Sequence, residues 1–409
     1  MLLTVLFLTC LQLVAARNGK RCKNIAIPFY LTARNVVFNT HIPNSQIEVT
    51  NFMLDLTRHG RNLTNELMTG YRQVSGVYEL STTYCEPKSG PGSRLQILTH
   101  GIGFDRHYWD FYYNNYKYSY VNKAIENGWS TLTWDRPGVG HSSKGNALTE
   151  IQIALEVAAL RALTQWVKDG FLPQHKHKNS KIVHAGHSFG SSITMAMTHE
   201  YPHMSDGIIL TGFSQIPNFF AAFLLATGFV PAKDVFESYT FWPGYFSAKT
   251  EVALMVDFFA PNDFDPSILG AAMKTGQPAT IGELLTLGSI PAKSNFAGPV
   301  QIVTGQRDIP FCGGDCNFVG GMNTTAKSML EMSRRNFPYA STFSTNVIPN
   351  AGHGLNYQYS YNKTYTAMHE FLNYQFPPPP RPTETEIHVI VTSASTYYEA
   401  PTQSASSAP

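Results

Sequence analysis

The chain predicts an α/β fold in which a mostly parallel sheet is covered by helices on both faces. Short apolar, β-rich runs fall at residues 94–99, 130–135, 180–187, 207–212 and 299–304, and longer amphipathic stretches separate them. A serine between two glycines, Gly186-His187-Ser188-Phe189-Gly190, stands where one of these runs gives way to a helical pattern. The rhythm then breaks over residues 213–297, a stretch of Phe, Leu, Ala, Pro and Trp placed to roof the carboxyl ends of the strands. In an open sheet of this kind the loops at those ends carry the site.

Residues 1–16 contain Leu2-Leu3-Thr4-Val5-Leu6-Phe7-Leu8 and close with Val14-Ala15-Ala16 before Arg17. They read as a secretory signal cleaved near Ala16, too short to span a bilayer, with retention as an anchor the alternative. Residues 17–376 make the expected folded domain. Within it, 34–86 look like an antiparallel lead-in, with Val74-Ser75-Gly76-Val77-Tyr78-Glu79-Leu80 alternating as an edge strand does. The strand Leu95 to Thr99 is followed by His100-Gly101-Ile102-Gly103, and Trp134 to Ser142 is a strand end with a Gly-rich loop. The latter is no phosphate loop, because no Gly-Lys-Ser/Thr follows. Glu150 to Gly170 predicts a helix: Ile153, Val157, Leu160, Leu163, Trp166 and Val167 form one apolar stripe, and Gly170 stops it. From Pro377 onward, residues 377–409 are rich in Pro, Ser, Thr and Ala and read as a disordered, O-glycosylated tail. It lacks the terminal apolar segment of a lipid anchor.

The Gly-x-Ser-x-Gly turn lifts a serine hydroxyl out of the sheet edge, and its glycines remove side chains that would clash there. Serine acyl chemistry needs a base, a buried acid that orients it, and amides that hold an oxyanion. Ser188 is the candidate nucleophile. The candidate base is His353, flanked by Gly352 and Gly354 after the last strand-like run, Ser341 to Val347. The candidate acid is Asp308, which ends the run Val300 to Asp308; a turn or helix-cap role is its plainer alternative. The order Ser188, Asp308, His353 favours the acid, since it is the order this turn class requires. The oxyanion donors are expected to be the amides of Phe189 and Ile102, with Gly103 the alternative to Ile102. His184 and His187 read as packing residues. In the roofing stretch, Phe219, Phe220 and Phe223 are candidates to line an apolar acyl or aromatic pocket, a lipid-contacting lid and plain cap packing being the alternatives.

Taken together, the His100–Gly103 loop, Asp135 to Ser142, the Ser188 turn, Asp308 and His353 make the chain resemble the α/β-hydrolase superfamily over roughly residues 75–375. It looks most like single-domain hydrolases with a helical cap, and more loosely like secreted fungal members encoded with natural-product pathways. The resemblance implies a central sheet with helices on both faces, a cap inserted at about 213–297 and a serine mechanism that needs no cofactor.

Five cysteines occur, and Cys10 leaves with the signal. The remaining four, Cys22, Cys85, Cys312 and Cys316, suit an oxidising compartment and allow three pairings. Cys22–Cys85 and Cys312–Cys316 are favoured, the second as a clip beside Asp308; a metal site is disfavoured because His ligands at zinc-like spacing are missing. Asn62, Asn323 and Asn362 begin glycosylation sequons. A net charge of +2 and no basic stripe speak against nucleic acid, and about 360 residues between signal and tail suit one domain with a cap. No run after the signal reaches spanning length, and oligomeric state is open. The expected function is a secreted serine esterase, carboxylesterase or lipase-like, acting on a small-molecule or lipid ester. An acyltransferase or cyclase of a natural-product pathway, or a non-catalytic binding protein on the same fold, are the alternatives.

Overall fold

A computed structural model of the chain describes residues 12–14, 19–172, 180–215, 219–236, 243–322 and 324–378. The strands are β1 (Gln12–Val14), β2 (Lys20–Phe38), β3 (Met68–Pro87), β4 (Arg94–Thr99), β5 (Ser130–Trp134), β6 (Lys181–His187), β7 (Gly207–Thr211), β8 (Val230–Pro231), β9 (Tyr245–Ser247), β10 (Ala279–Thr280), β11 (Val300–Gly305) and β12 (Phe343–Ile348). Nine of them form one sheet in the order β1-β2-β3-β5-β4-β6-β7-β11-β12, parallel from β5 to β12. All residues of β5, β7 and β11 are buried, as expected of strands covered on both faces. The crossovers from β4 to β5 and from β5 to β6 run in opposite directions along the sheet. Right-handed connection therefore puts the helices Tyr120–Glu126 and Ile153–Lys168 on opposite faces.

The helix Ile153–Lys168 buries Ile153, Val157, Leu160, Leu163 and Val167 along the predicted stripe, and Gly170 follows its end at φ +79°. The same face carries a carboxylate into the core: Glu156 is fully buried. The antiparallel lead-in begins earlier than its sequence pattern suggests. β2 starts at Lys20 and pairs with β3 along nearly its whole length. The run 74–80 lies in β3 with β2 on one side only, because residues 68–81 extend past β5, which pairs only Thr82–Cys85; it is thus a local edge, and its burial alternates as the sequence pattern suggests. Pro28 sits in β2, near the sheet margin where a missing N–H is tolerated. Cys22 lies opposite Cys85 in the β2–β3 register and bonds to it, with Cα atoms 4.1 Å apart. Of the expected signal only residues 12–14 are described, pairing antiparallel with β2; the rest, residues 379–409 of the tail and Asn323 lie outside the described residues. Asn62 and Asn362 are exposed. Among the described residues no helix is long and apolar enough to cross a membrane.

Between β7 and β11 the chain leaves the sheet and builds the helices Phe220–Ala226, Glu251–Phe258, Ile268–Thr275 and Ile281–Thr286 with the small sheet β10-β9-β8. Order along the main sheet reverses at β4, which has β5 on one side and β6 on the other. Thr99 at the end of β4 lies beside Gly186 near the end of β6, so the loops after these strands diverge and open a crevice between them.

Candidate active site

Ser188 follows β6 at φ 54°, ψ −119°, a left-handed conformation rare for a residue with a Cβ. The helix Phe189–Glu200 starts at once, and the Ser188 N–H donates to the Thr211 carbonyl at 2.9 Å. Both flanking glycines are required by close approach: a Cβ on Gly186 would strike the Gly190 carbonyl, and one on Gly190 would strike the Thr99 and His100 carbonyls. Strain and packing together hold the hydroxyl at the crevice.

Asp308 follows β11 and is the N-cap of the short helix Ile309–Cys312. Its Oδ1 accepts from the Phe311 N–H at 2.8 Å, and its Oδ2 lies 2.6 Å from His353 Nδ1. The cap role and the orienting contact use different oxygens, so one carboxylate does both. His353 Nε2 lies 2.9 Å from Ser188 Oγ. Asp308 and His353 are both buried. The carboxylate can only accept at Nδ1 when ionised, which leaves Nε2 as the acceptor toward the hydroxyl. Cys312 and Cys316 are bonded, and the segment they close is tied to the acid loop by Gly314 N–H to Asp308 O at 2.8 Å and Cys316 N–H to Gln306 O at 2.8 Å.

The histidine loop is joined to the cap. Gly354 N–H donates to Phe258 O at 2.6 Å, while Gly352 and Ala260 N–H both donate to Gln358 Oε1 at 2.8 Å. The His353 ring packs against Phe258 (5.7 Å between centroids), Phe311 (5.7 Å) and His187 (4.8 Å). His187 is itself buried and stacked on Tyr108 at 4.2 Å. Burial, then the nearby His353 and His100, pushes its imidazole well below the ordinary histidine range, so it stays neutral beside the other ring. His184 is held by Thr164 (2.9 Å) and Ser205 (2.8 Å) beneath the sheet. Both are core residues.

The loop after β4 lies directly against the serine: a Cβ on Gly101 would stand 2.8 Å from Ser188 Cβ and 3.0 Å from His187 O. Gly103 turns at φ +83° and its carbonyl accepts from Gln277 N–H of the cap at 3.1 Å. Phe189 is the first residue of its helix, where an amide has no intrahelical acceptor, and points along the helix axis toward the crevice.

Ile102 and Gly103 also line an apolar cleft completed by Phe223, Phe229, Phe258 and Met273 of the cap. Of the three cap phenylalanines singled out from the sequence, only Phe223 is part of this wall; its ring meets His353 edge-on at 6.4 Å. Phe220 instead packs edge-on against Phe311 at 5.2 Å, and Phe219 covers Gly313. Both brace the acid loop, because the helix Phe220–Ala226 turns a different face to the cleft. No local sequence pattern marks Phe258: it becomes a site residue only through its contact with His353. Asp135, a rival acid by its place after β5, is taken by Arg106 and the His141 N–H, away from the histidine.

The alpha/beta hydrolase family model matches residues 96–362. A pyrrolizixenacetamide deacetylase from Xenorhabdus hominickii is 27% identical over 149 residues, which cover 36% of this chain and 44% of that protein, so the chain spans less than half the length of this relative. Among solved structures, a thermophilic esterase from Thermogutta terrifontis is 17% identical with a TM-score of 0.48, covering 73% of this chain and 94% of its own. An epoxide hydrolase from Vigna radiata is 12% identical with a TM-score of 0.49, covering 73% and 95%.

Proposed function

Since the chain belongs to the alpha/beta hydrolase family, we propose that it is a secreted serine hydrolase that cleaves carboxylic esters through an acyl-enzyme. The observation that carries this is the unbroken chain of contacts from Asp308 Oδ2 to His353 Nδ1 (2.6 Å) and from His353 Nε2 to Ser188 Oγ (2.9 Å), with Ser188 in a strained turn.

Ser188 Oγ attacks the ester carbonyl carbon while its proton passes to His353 Nε2; Asp308 holds the other ring nitrogen and offsets the imidazolium charge. The carbonyl oxygen becomes an oxyanion received by the Phe189 and Ile102 amides. Collapse of the tetrahedral species breaks the bond to the alcohol, which leaves with the proton from Nε2. Water then gives a proton to the same nitrogen as it attacks the acyl carbon, and Ser188 Oγ takes that proton back as the acid departs. The acyl group lies in the cleft lined by Ile102, Phe223 and Phe258.

Hydrolysis of a chain-length series of p-nitrophenyl esters by wild type and Ser188→Ala tests this. Turnover by wild type alone is expected, and equal turnover by both proteins would sink it. Because the deacetylase relative acts by name on an acetamide, the series includes an acetanilide. Acyl transfer to an alcohol or amine is the second function, supported by the apolar part of the cleft wall at Ile102, Phe223 and Phe258, against which an alkyl acceptor can compete with water. Partitioning of the acyl group to added butanol or hexylamine distinguishes transfer from hydrolysis. Secretion is supported by the apolar N-terminal run and by the two disulfides; a mature N-terminus near Arg17 in secreted protein is the expected result.

A further inference from the structure

Arg136 follows β5 and is completely buried, yet nothing in the proposed acyl transfer uses it. Its guanidinium pairs with two buried carboxylates, Glu156 of the core helix Ile153–Lys168 and Glu283 of the cap helix Ile281–Thr286. Burial opposes its charge, but the two carboxylates outweigh that and raise its pKa, so it remains a cation. A charge kept in the interior at this cost of desolvation calls for a role.

Two further contacts of the Arg136 side chain reach the oxyanion site: the carbonyl of Gly101, which shares a peptide plane with Ile102 N–H, and the ring of Phe189. Arg136 Nη2 donates to the Gly101 carbonyl at 3.3 Å, and its guanidinium carbon lies 5.0 Å from the centre of the Phe189 ring. Its own backbone N–H donates to His100 Nε2 at 3.2 Å. That contact makes Nε2 the acceptor, so the proton of neutral His100 is on Nδ1, which donates to the same Gly101 carbonyl at 2.9 Å. His100 stays neutral, since burial and then Arg136 push its pKa down to about 3. Gly101 C=O and Ile102 N–H belong to one peptide plane and point in opposite directions. Donors on the carbonyl fix the plane and draw electron density from the nitrogen, which makes the opposite N–H a stronger, better aimed donor.

We propose that Arg136 is a positioning residue of the oxyanion site: held between Glu156 of the core and Glu283 of the cap, it fixes and polarises the Gly101–Ile102 peptide and braces Phe189. The inference rests on the serine mechanism above. It also ties the oxyanion peptide to the seating of the cap, because one of the two carboxylates that aim the guanidinium stands on a cap helix.

The test uses Arg136→Lys in the full chain. An ammonium keeps the charge but has no planar fork with which to reach both carboxylates and the Gly101 carbonyl. Active sites are titrated with a fluorophosphonate, so that kcat is expressed per competent serine and loss of folded protein does not count. Loss of a whole oxyanion donor costs about 10²–10³ in kcat, so weakening one is expected to lower kcat per titrated site about 10–100-fold with KM changed less than about threefold. The rate of fluorophosphonate labelling, which passes through a similar anionic centre, falls in parallel. Unchanged kcat per titrated site, or a loss confined to KM, overturns the proposal. Should Arg136→Lys not accumulate as folded protein, Arg136→Lys/Glu156→Gln, with one ammonium facing one carboxylate, carries the same expectations. If wild type neither labels nor turns over any ester, the serine mechanism fails and this inference falls with it. If wild type does both and the lysine variants match it, only the inference fails.

Discussion

Replacing Asp308 by asparagine separates the two duties of its carboxylate. Oδ1 accepts from Phe311 N–H at 2.8 Å and Oδ2 faces His353 Nδ1 at 2.6 Å. An amide has one oxygen. If that oxygen stays on Phe311, the NH₂ faces His353, Nδ1 must become the acceptor, and Nε2 then carries the hydrogen toward Ser188 and cannot take the hydroxyl proton. If the amide flips, the tautomer is restored but the NH₂ confronts Phe311 N–H, and leaving that buried donor unpaired costs about 1–3 kcal/mol. In either orientation the developing imidazolium loses its charge-assisted partner, worth about another 2 kcal/mol. The sum, about 3–5 kcal/mol on the barrier, corresponds to a loss of about 10²–10⁴ in kcat. Steady-state hydrolysis of p-nitrophenyl butyrate gives kcat, and a thermal melt shows whether the fold survives. A thermal midpoint within a few degrees of wild type is expected, because the variant is isosteric and keeps its cap. Turnover within tenfold of wild type would refute the assignment of Asp308 and the reasoning from its two oxygens.

Gly101→Ala would place a methyl 2.8 Å from Ser188 Cβ and 3.0 Å from His187 O; displacement of the β4 loop is expected to lower kcat by about tenfold or more, and unchanged kinetics would show that the loop is not held against the serine. Asp257 has its pKa raised to about 8, chiefly by burial. The Thr227 hydroxyl, with one proton and contacts to both Phe223 O (2.8 Å) and Asp257 Oδ2 (2.7 Å), agrees with a protonated acid that donates to it. The stabilisation from that proton is complete below the unfolded carboxyl pKa and is lost as pH rises through about 8, at ~1.4 kcal/mol per unit. Melting temperatures of wild type and Asp257→Asn should therefore diverge in favour of the variant as pH goes from 5 to 9, and parallel curves would contradict this. The Cys22–Cys85 bond spans 63 residues and Cys312–Cys316 spans 4, so loop closure stabilises by about 4 and about 2 kcal/mol respectively. Cys22→Ser/Cys85→Ser is expected to lower the thermal midpoint more and Cys312→Ser/Cys316→Ser to lower kcat more; the opposite ranking would mean that the small clip does not stiffen the acid loop.

The parallel strands and the loops after them were legible because the strands are short β-rich runs, and Ser188, Asp308 and His353 stand past the ends of β6, β11 and β12, although β12 is only half-buried along its centre. Ser188, Asp308 and His353 could be picked out by position, and the structure brings their side chains together from the ends of β6, β11 and β12. The His100–Gly103 loop was legible through glycines that close packing demands. β2 was not, because Pro28, Asn35 and a mixed polar pattern over Lys20–Phe38 hide a strand defined by its register with β3. Nor could the sequence distinguish Phe223 from Phe219 and Phe220, since which face of a short cap helix meets the site depends on how the whole insertion docks. The Arg136 cluster is silent for the same reason: its carboxylates are 20 and 147 residues away, and only the fold makes them neighbours.

The central claim is that Ser188 is a nucleophile activated by His353. Its most direct measurement is covalent labelling of the protein with a fluorophosphonate, followed by mass spectrometry of the labelled peptide, with Ser188→Ala and His353→Ala beside wild type. One phosphonyl group per chain on the peptide containing Ser188 is expected in wild type, none in Ser188→Ala, and labelling slowed by orders of magnitude in His353→Ala. A wild-type protein that remains unlabelled, or a label that persists in Ser188→Ala, would contradict the account.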